Sequence, residues 1–488
     1  MKNNQVSIKS SIITNTSLIL AISLLIMCTS NAQSVPQDYT LQLDNIMNNH
    51  YQNGDFQGAV LIAMDGDIIY RKAFGYANIE SETLNSPETK FTIASLGKAF
   101  TAVLILQLVE EGKIRLDDIL SEHLSTYRKD MGERITIHQM LRHTSGIPWK
   151  DRGHKVTYSF DDLVQQANEY ELLFEPGTQF NYSNTAYNLL GAMIEEITGN
   201  SFEHELKERI LIPNEMHNTG LVKHRPIIEN RAMGYDRMPG GVFLNAEWQD
   251  QSYALGAGGM YSTVDDLYKW DQALYNDDFL SAESRELMFT AGIQGAGYGW
   301  NVGKYKRNNA EELGTIVSGL GTTKGFSTLI ARLLDDRYFV VVLSNINQMA
   351  QGKVGNDLWN TILGHEIEPV ISYADSIYSI ALTKGVTPAV AKYKDMLKSN
   401  MEKNLPDESR INQAGYVLLN VEDKMNDAIK LFELNVELHP NSANTFDSLG
   451  EAYMKLGKTD QAITAYKRAL QLDPHMQTAI DALKKLRN

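Results

Sequence analysis

One stretch, residues 91–113 with the sequence FTIASLGKAFTAVLILQLVEEGK, constrains the fold of this chain more than any other. From Leu96 to Val109 nearly every residue is apolar or small on all sides of a 3.6-residue period, which predicts a helix buried inside a domain. Ser95 and Lys98 stand three residues apart at its start, so they share a face of the first turn. Because a buried ammonium is very costly unless it is paired or neutral, a lysine here needs a specific reason.

The pair Ser95 and Lys98 has the chemistry of a nucleophile and its base. The free N–H groups and the positive dipole end of a helix N-terminus favour an oxyanion beside the serine Oγ. Burial lowers the pKa of a lysine, and a neutral lysine can accept the serine proton. This is the S-x-x-K arrangement of serine acyl-transfer enzymes, although the spacing alone is too common to identify a function.

The N-terminal segment predicts export. Residues 1–32 combine two lysines, an apolar run at 18–27 and the small-x-small sequence Ser-Asn-Ala that ends at Ala32, which is typical of a signal peptide. We therefore expect cleavage after Ala32 and a periplasmic or secreted protein. The competing interpretation makes Cys28, the only cysteine, a lipoprotein acceptor. No later apolar run is long enough to span a bilayer, so no membrane span is expected in the mature chain.

After the N-terminal segment, the sequence contains stretches with strand patterns and a long stretch with a helical pattern. A chain of 488 residues is consistent with two or three domains, and its formal net charge of −15 argues against a nucleic-acid partner. The segments that read as strands are 57–64 and 67–74, joined by an Asp-Gly hairpin turn, and then 313–318, 326–334 and 338–343. The pattern of the long stretch from 117 to about 300 predicts mostly helices, with many loops that contain Gly and Pro. We expect the early hairpin to pair with the late strands in one antiparallel sheet, and the helical insertion to form a second lobe.

The C-terminal residues repeat with a period of 34, which is the tetratricopeptide pattern. Its positions are Leu449, Gly450, Tyr453, Ala462, Tyr466, Ala469 and Pro474, and one period earlier Ala428, Phe432 and Pro440. We predict a first domain at 36–365, a helical connection at 366–405, and tetratricopeptide repeats with a capping helix at 407–488. The repeats either buttress the first domain or bind a protein or peptide partner.

A second polar cluster at residues 175–184, EPGTQFNYSN, precedes a predicted helix over 185–197. Tyr182 and Asn184 are two residues apart beside the helix start, so both could face a cleft. Tyr182 would then relay a proton, and Asn184 would bind a substrate carbonyl or amide. Helix capping by Ser183 or Asn184 explains the same polar residues equally well.

In chain order, these residues resemble a known family. Six blocks carry the resemblance: SLGK (95–98), LRHTSGIP (141–148), EPGTQFNYSN (175–184), AGGMYSTVDDL (257–267), YGW (298–300) and KGFST (324–328). Over roughly residues 36–365 the chain is similar to the serine β-lactamase-related family. That family includes class C β-lactamases, DD-carboxypeptidases, D-aminopeptidases and lipolytic esterases.

The resemblance implies a two-lobed α/β fold of the β-lactamase/transpeptidase type, with an antiparallel sheet flanked by helices and a helical lobe. It implies that Ser95 is the acylated nucleophile, that Lys98 and Tyr182 share the base and acid roles, and that Asn184 lies in the substrate site. The backbone N–H groups of Ser95 and Thr322 would form the oxyanion hole. By the same resemblance we expect no cofactor and no metal, and His143 would have a structural role.

The chain departs from the family at its third motif, which is K-T-G or H-x-G. Here residues 319–322 read Gly-Leu-Gly-Thr, so the basic or imidazole side chain is missing at Gly319. In the family that group holds the substrate carboxylate, so the departure favours esters or small D-amino-acid amides over penicillins. Gly321 still allows a substrate to approach the backbone closely. Lys324 is near in sequence, but on a loop it is expected to be solvated.

Two classes of function follow. The first is an exported serine hydrolase that cleaves a small ester, an amide or a peptidoglycan-derived substrate through a Ser95 acyl-enzyme. The alternative is a catalytically impaired relative that binds muropeptides or another protein through residues 407–488. Trp149 and Trp300 either line a pocket of the first domain or only pack in its interior.

Overall fold

The computed structural model describes residues 39–149, 157–238, 242–308, 310–347, 350–367, 380–381, 384–398, 408–420 and 424–486. The predicted signal peptide and the lipoprotein alternative at Cys28 lie outside these ranges, as does much of the predicted connection at 366–405. Within the described ranges no helix has both the length and the apolar character that a bilayer span requires.

Thirteen strands occur in the described residues. In chain order they are β1 (Gly58–Met64), β2 (Asp67–Phe74), β3 (Tyr76–Asn78), β4 (Thr83–Leu84), β5 (Phe91–Thr92), β6 (Gly220–Leu221), β7 (Tyr235–Met238), β8 (Val242–Asn245), β9 (Met260–Ser262), β10 (Asn301–Lys306), β11 (Leu313–Thr323), β12 (Phe326–Leu333) and β13 (Tyr338–Ser344).

The α-helices of the first domain are α1 (Thr40–Gln52), α2 (Gly97–Glu110), α3 (Leu120–His123), α4 (Lys129–Gly132), α5 (Ile137–Leu141), α6 (Phe160–Ala167), α7 (Asn184–Thr198), α8 (Phe202–Leu206), α9 (Val264–Ala273), α10 (Ala282–Phe289) and α11 (Gln351–Ile362). Those that follow are α12 (Val386–Lys398), α13 (Glu408–Asn420), α14 (Met425–Leu438), α15 (Ala443–Lys455), α16 (Thr459–Leu472) and α17 (Gln477–Lys485).

The main sheet has six strands in the order β10-β11-β12-β13-β1-β2, and every neighbouring pair is antiparallel. The early hairpin therefore joins the late strands, as predicted, through the pairing of β1 with β13. Its turn residues Asp65 and Gly66 both have positive φ, 51° and 87°, which is the backbone that a type I′ turn requires.

The structure differs from the predicted strands at β10 and β11. β11 continues to Thr323, five residues beyond the predicted end, whereas β10 pairs only with Leu313–Ser318. Residues 319–323 therefore pair with β12 alone, and β10 leaves their other edge open. β10 itself was not predicted, because most of its side chains are exposed and its sequence NVGKYK lacks the apolar alternation of a half-buried strand.

The predicted central helix is α2. All residues from Gly97 to Leu106 are buried, which explains why its sequence is apolar on every side. It belongs to a core that includes the apolar residues of α7 and the inner face of the sheet. Helix α7 begins after Ser183, whose Oγ accepts from the N–H of Ala186, and ends at Gly199 with φ 70°.

The C-terminal helices form a second hydrophobic core. Helices α13 and α14 pack as one pair and α15 and α16 as the next, with α17 against the end. In each pair a glycine of the first helix faces an aromatic ring of the second: Gly415 faces Phe432, and Gly450 faces Tyr466. A Cβ at either glycine would lie within 3 Å of that ring, so the helices could not approach as closely. The described part of the connection, α12, packs into the same core.

Candidate active site

Ser95 lies in a single 3₁₀ turn, Ala94–Leu96, directly before α2 rather than within the helix itself. Ala94 has φ 47°, an uncommon conformation for a residue with a Cβ. Gly258 packs against this turn, where a Cβ would lie 2.2 Å from the Ala94 carbonyl oxygen and 2.8 Å from the Ser95 nitrogen. Strained backbone held by tight packing is common at catalytic residues, because it fixes a side chain in place.

Lys98 is almost completely buried and lies beside the serine. Its Nζ is 3.0 Å from Ser95 Oγ and donates a hydrogen bond of 2.7 Å to the carbonyl oxygen of Ala257. The rings of Tyr182 and Tyr187 lie 4.7 Å and 5.8 Å from Nζ. Burial lowers the pKa of Lys98 well below its ordinary value. A neutral amine can accept a proton from the serine, as a general base must.

Tyr182 completes a three-residue constellation around Ser95 Oγ. Its hydroxyl donates a hydrogen bond of 2.8 Å to that oxygen. Burial raises the pKa of Tyr182 to about 12, despite the hydrogen bond to Ser95 that acts in the opposite direction. The phenol is therefore protonated at neutral pH, which suits a donor of a proton rather than a phenolate base.

His143 holds the segment that carries Tyr182. Its Nδ1 accepts a hydrogen bond of 3.1 Å from the backbone N–H of Ser183, so the proton of the neutral ring is on Nε2. Its ring centroid lies 4.5 Å from that of Tyr182. Burial, helped by the charge of Lys98, lowers the pKa of His143 to about 3. The predicted structural role of His143 fits this geometry, because the ring contacts Tyr182 and accepts from the backbone of the next residue.

Asn184 begins α7 two residues after Tyr182. Its Oδ1 is buried and has no hydrogen-bond partner among the described residues. The N-cap role belongs instead to Ser183, so the capping explanation does not account for the Asn184 side chain. Binding of a substrate N–H group by Oδ1 remains the prediction that accounts for an unpaired buried acceptor.

Strand β11 passes close to the serine turn at Gly321. A Cβ at Gly321 would lie 2.3 Å from the Ile93 carbonyl oxygen, which also accepts a 3.0 Å hydrogen bond from Thr328 Oγ1. The neighbouring Thr322 is exposed, and its Oγ1 accepts a bond of 3.2 Å from Gln351 Nε2. The structure thus places the predicted oxyanion strand beside Ser95, and the role of its backbone N–H groups stays a prediction.

Trp149, Trp300 and Lys324 differ in exposure and in the residues that they contact. Trp149 is 53% exposed and packs edge-on against Tyr182 with ring centroids 6.1 Å apart, whereas Trp300 is 5% exposed. Lys324 forms an ion pair of 2.8 Å with Glu247 near the end of β11. Lys324 was expected to be solvated; it is exposed, and it also has this charged partner.

Among the described residues, one group of side chains has the spacing for a metal ion, although two of its three members are hydrogen-bonded to each other. Atoms of Asp118, Glu122 and His123 lie within 4.8 Å of one another. His123 Nε2 is bonded to Asp118 at 2.8 Å, and Asp118 also accepts from the Arg115 backbone N–H at 2.7 Å. These contacts engage ligand atoms of Asp118 and His123 in hydrogen bonds within the protein.

Sequence reasoning missed the contribution of residues 256–258. Gly256 accepts a hydrogen bond of 2.7 Å from Thr101 Oγ1, Ala257 accepts from Lys98, and Gly258 packs on the nucleophile turn. The available signal was the Ala-Gly-Gly sequence at 257–259, which is part of one of the six blocks that carry the family resemblance. Small residues in sequence indicate close backbone contact, but they do not identify the segment that is contacted.

The chain is similar to known proteins over both of its parts. The β-lactamase family model matches residues 43–361, and a tetratricopeptide-repeat model matches residues 448–476. Penicillin-binding protein 4* of Bacillus subtilis (strain 168) is 33% identical over 317 residues, which cover 59% of this chain and 68% of that protein. Putative penicillin-binding protein PbpX of the same strain is 30% identical over 334 residues, covering 68% and 81%.

Solved structures show the same fold. The octameric penicillin-binding protein homologue from Pyrococcus abyssi superposes with a TM-score of 0.59 at 28% identity, over 69% of this chain and 81% of that one. D-amino acid amidase from Ochrobactrum anthropi SV3 has a TM-score of 0.59 at 22% identity, over 67% and 99%. The predicted β-lactamase/transpeptidase-like fold with C-terminal tetratricopeptide helices is thereby confirmed.

Proposed function

This chain belongs to the β-lactamase family of serine hydrolases, and on that premise we propose that it cleaves an ester or an amide through an acyl-enzyme on Ser95. One observation carries the proposal: Ser95 Oγ lies 3.0 Å from Lys98 Nζ and 2.8 Å from the Tyr182 hydroxyl. A hydroxyl flanked by a buried amine and a protonated phenol has both the base and the acid that acyl transfer needs.

In the acylation step, Ser95 Oγ forms a bond to the substrate carbonyl carbon while its proton passes to neutral Lys98. The carbonyl oxygen becomes an oxyanion, for which the N–H groups of Ser95 and Thr322 are the proposed donors. Collapse of the tetrahedral intermediate breaks the bond to the leaving alcohol or amine. Tyr182 donates the proton that this group needs and recovers one from Lys98.

In the deacylation step, water attacks the Ser95 ester and the acid product leaves. The water gives its proton through Tyr182 or Lys98 to Ser95 Oγ, so the enzyme returns to its starting state. Asn184 Oδ1, the unpaired buried acceptor, would hold an N–H group of the acyl portion. Every proton then moves between groups that lie around the same serine oxygen.

The alternative is a catalytically impaired module that binds muropeptides or a protein through its tetratricopeptide helices. The missing side chain at Gly319 motivates it. The assembled contacts of Ser95, Lys98 and Tyr182 favour the hydrolase, because a chain that only binds has no need of a buried amine beside a serine hydroxyl. We also propose export of the hydrolase, on the basis of the signal-peptide pattern in residues 1–32.

The test is the intact mass of the protein after separate incubation with an activated short-chain ester and with a slowly hydrolysed penicillin, alongside Ser95→Ala. An adduct or a burst of ester cleavage in the wild type alone supports the acyl-enzyme. A folded wild type that forms no adduct with either reagent and releases no product would favour the binding module.

A further inference from the structure

The side-chain space at position 319 is occupied rather than empty. A Cβ built on Gly319 would lie 2.8 Å from Leu96 Cδ2 and 3.9 Å from two ring atoms of Trp300. Leu96 directly follows the nucleophile, and it is only 3% exposed. An apolar side chain therefore occupies the space that a Cβ at position 319 would enter.

This packing disfavours a side chain at position 319 as long as Leu96 keeps its rotamer. Gly319 pairs with Ile330 on β12, so the backbone cannot withdraw from Leu96 without breaking the sheet register. A contact of 2.8 Å is below the separation that two carbon atoms tolerate, so any larger residue requires Leu96 to change rotamer. A cationic side chain at position 319 and the present rotamer of Leu96 therefore exclude each other.

Three cations of the described segments, Lys98, Lys324 and Arg142, already make contacts within the protein. Lys98 serves the serine, and Lys324 is paired with Glu247. Arg142 is buried and donates to the backbone carbonyl oxygens of Thr290 and Ala296. None of these three groups can meet a substrate carboxylate without giving up a contact that it already makes.

The open part of β11, residues 319–323, carries no charged side chain, and its exposed side chains are Leu320 and Thr322. Among the described residues, the strand has no partner on the β10 side beyond Ser318, and the next outward side chain there is Leu320, 46% exposed. A carboxylate brought to this edge would lose water without gaining a charged partner, whereas an uncharged group would lose much less.

We propose that Gly319 and Leu96 together determine specificity, so that the site selects esters and amides with no carboxylate beside the scissile bond. This inference rests on the proposed acyl-enzyme function and adds the class of substrate. The chemical step is the one described above, with an uncharged alcohol, thiol or amine as the leaving group.

The test compares two thioesters of one acyl group, one with mercaptoacetic acid as the leaving group and one with its methyl ester. They have the same scissile bond and differ in one negative charge. We expect wild-type kcat/KM to be at least about tenfold higher for the methyl ester, the low end for a hydrogen bond to a charged group. Equal values, or a preference for the acid, would overturn the inference.

A designed reversal sharpens the test. In a Leu96→Ala background, which makes room at position 319, Gly319→Lys should raise the acid-to-ester ratio of kcat/KM by about tenfold or more. The matched control is Gly319→Met in the same background, which has similar length and no charge and should leave the ratio near that of Leu96→Ala alone. A ratio that is the same with lysine and methionine would contradict the proposal.

The failures of the two proposals are distinguishable. If neither thioester is cleaved and Ser95 is never acylated, the acyl-enzyme function fails and the specificity inference fails with it. If both are cleaved and the wild type does not discriminate against the acid, only the specificity inference fails. Because the wild-type ratio decides this, the result does not depend on whether the double variants fold.

Discussion

Lys98 Nζ donates a 2.7 Å hydrogen bond to the carbonyl oxygen of Ala257, a residue 159 positions later in the chain. A neutral amine has one lone pair, so a hydrogen committed to Ala257 helps to direct that lone pair toward Ser95 Oγ, 3.0 Å away. The contact thus orients the base without supplying a negative charge that would keep the lysine protonated. The hydrogen bond also connects α2, which carries Lys98, to the segment that precedes β9.

Replacing Lys98 with methionine should remove the base and preserve the packing. We expect Lys98→Met to lower kcat/KM for an activated ester by about 10²–10⁴-fold, the usual contribution of a general base. Its thermal unfolding midpoint should equal or exceed that of the wild type, since a buried amine is replaced by an apolar side chain of similar length. Steady-state kinetics and calorimetry check both; wild-type activity in Lys98→Met would refute the assignment.

The pH profile should have an acid limb set by Lys98. Burial lowers the pKa of Lys98, and only its neutral form accepts the serine proton, so kcat/KM should fall as pH drops through that lowered pKa. Because the pKa of Tyr182 is raised to about 12, no loss from its ionisation is expected between pH 7 and about 10. Tyr182→Phe should lower the rate and leave the acid limb in place; an acid limb that disappears in this variant would assign it to the tyrosine.

His143 should be replaceable by asparagine but not by alanine. Asparagine tolerates the positive φ of 58° found here and can offer Oδ1 to the Ser183 N–H. Alanine leaves that buried N–H unpaired, which costs about 1–3 kcal/mol. We expect His143→Ala to lose most activity and His143→Asn to retain more of it, as measured by ester hydrolysis and urea unfolding. Equal kinetics in the two variants would argue against a positioning role.

Gly258→Ala should displace the nucleophile. With φ 145° and a Cβ only 2.2 Å from the Ala94 carbonyl oxygen, the variant must move the turn that holds Ser95. We expect a loss of activity of about 100-fold, as for a shift of about 1 Å in a reacting group. The control is Gly352→Ala in α11, where a Cβ meets nothing within 4 Å, and which should retain activity and stability. Similar activities for the two alanine variants would show that Gly258 is not needed.

His50 should link stability to pH, away from the active site. It is fully buried between Asp357, 3.0 Å from Nε2, and Asp55, 3.4 Å from Nδ1. Burial alone would lower its pKa, but hydrogen bonds and charges from the two aspartates outweigh burial and raise it. A raised folded-state pKa gives stability that is complete below the unfolded value of about 6.5 and is lost as pH rises through the folded value.

The prediction concerns the difference in unfolding free energy between the wild type and His50→Gln. That difference should be largest below pH 6 and should shrink as pH rises through the raised folded-state pKa of His50, because above it both proteins have an uncharged side chain at position 50. Denaturant unfolding over this range measures it. A difference that is constant with pH would mean that His50 stabilises the fold only by packing.

Much of the fold was predictable because its signals are local. The Asp-Gly turn between β1 and β2, the apolar sequence of α2, the glycine after α7 and the 34-residue period of the C-terminal helices each act within one element or between adjacent ones. The pair Ser95 and Lys98 was also predictable, since residues three positions apart on a helical turn share a face whatever surrounds them. β10 was not, because its strand conformation depends on pairing with β11 rather than on its own sequence pattern.

The sequence by itself therefore determined the central helix, the hairpin, the tetratricopeptide pairs and the presence of a serine and a lysine on one turn. Only the tertiary structure decided what these two residues can do. The low pKa of Lys98 requires burial by segments far along the chain, and the Tyr182 hydroxyl reaches Ser95 across 87 residues of sequence. Leu96, which occupies the space beside Gly319, is likewise distant in sequence and close only in the folded chain. Dielectric environment and steric volume are properties of what surrounds a group in space, which residue spacing does not specify.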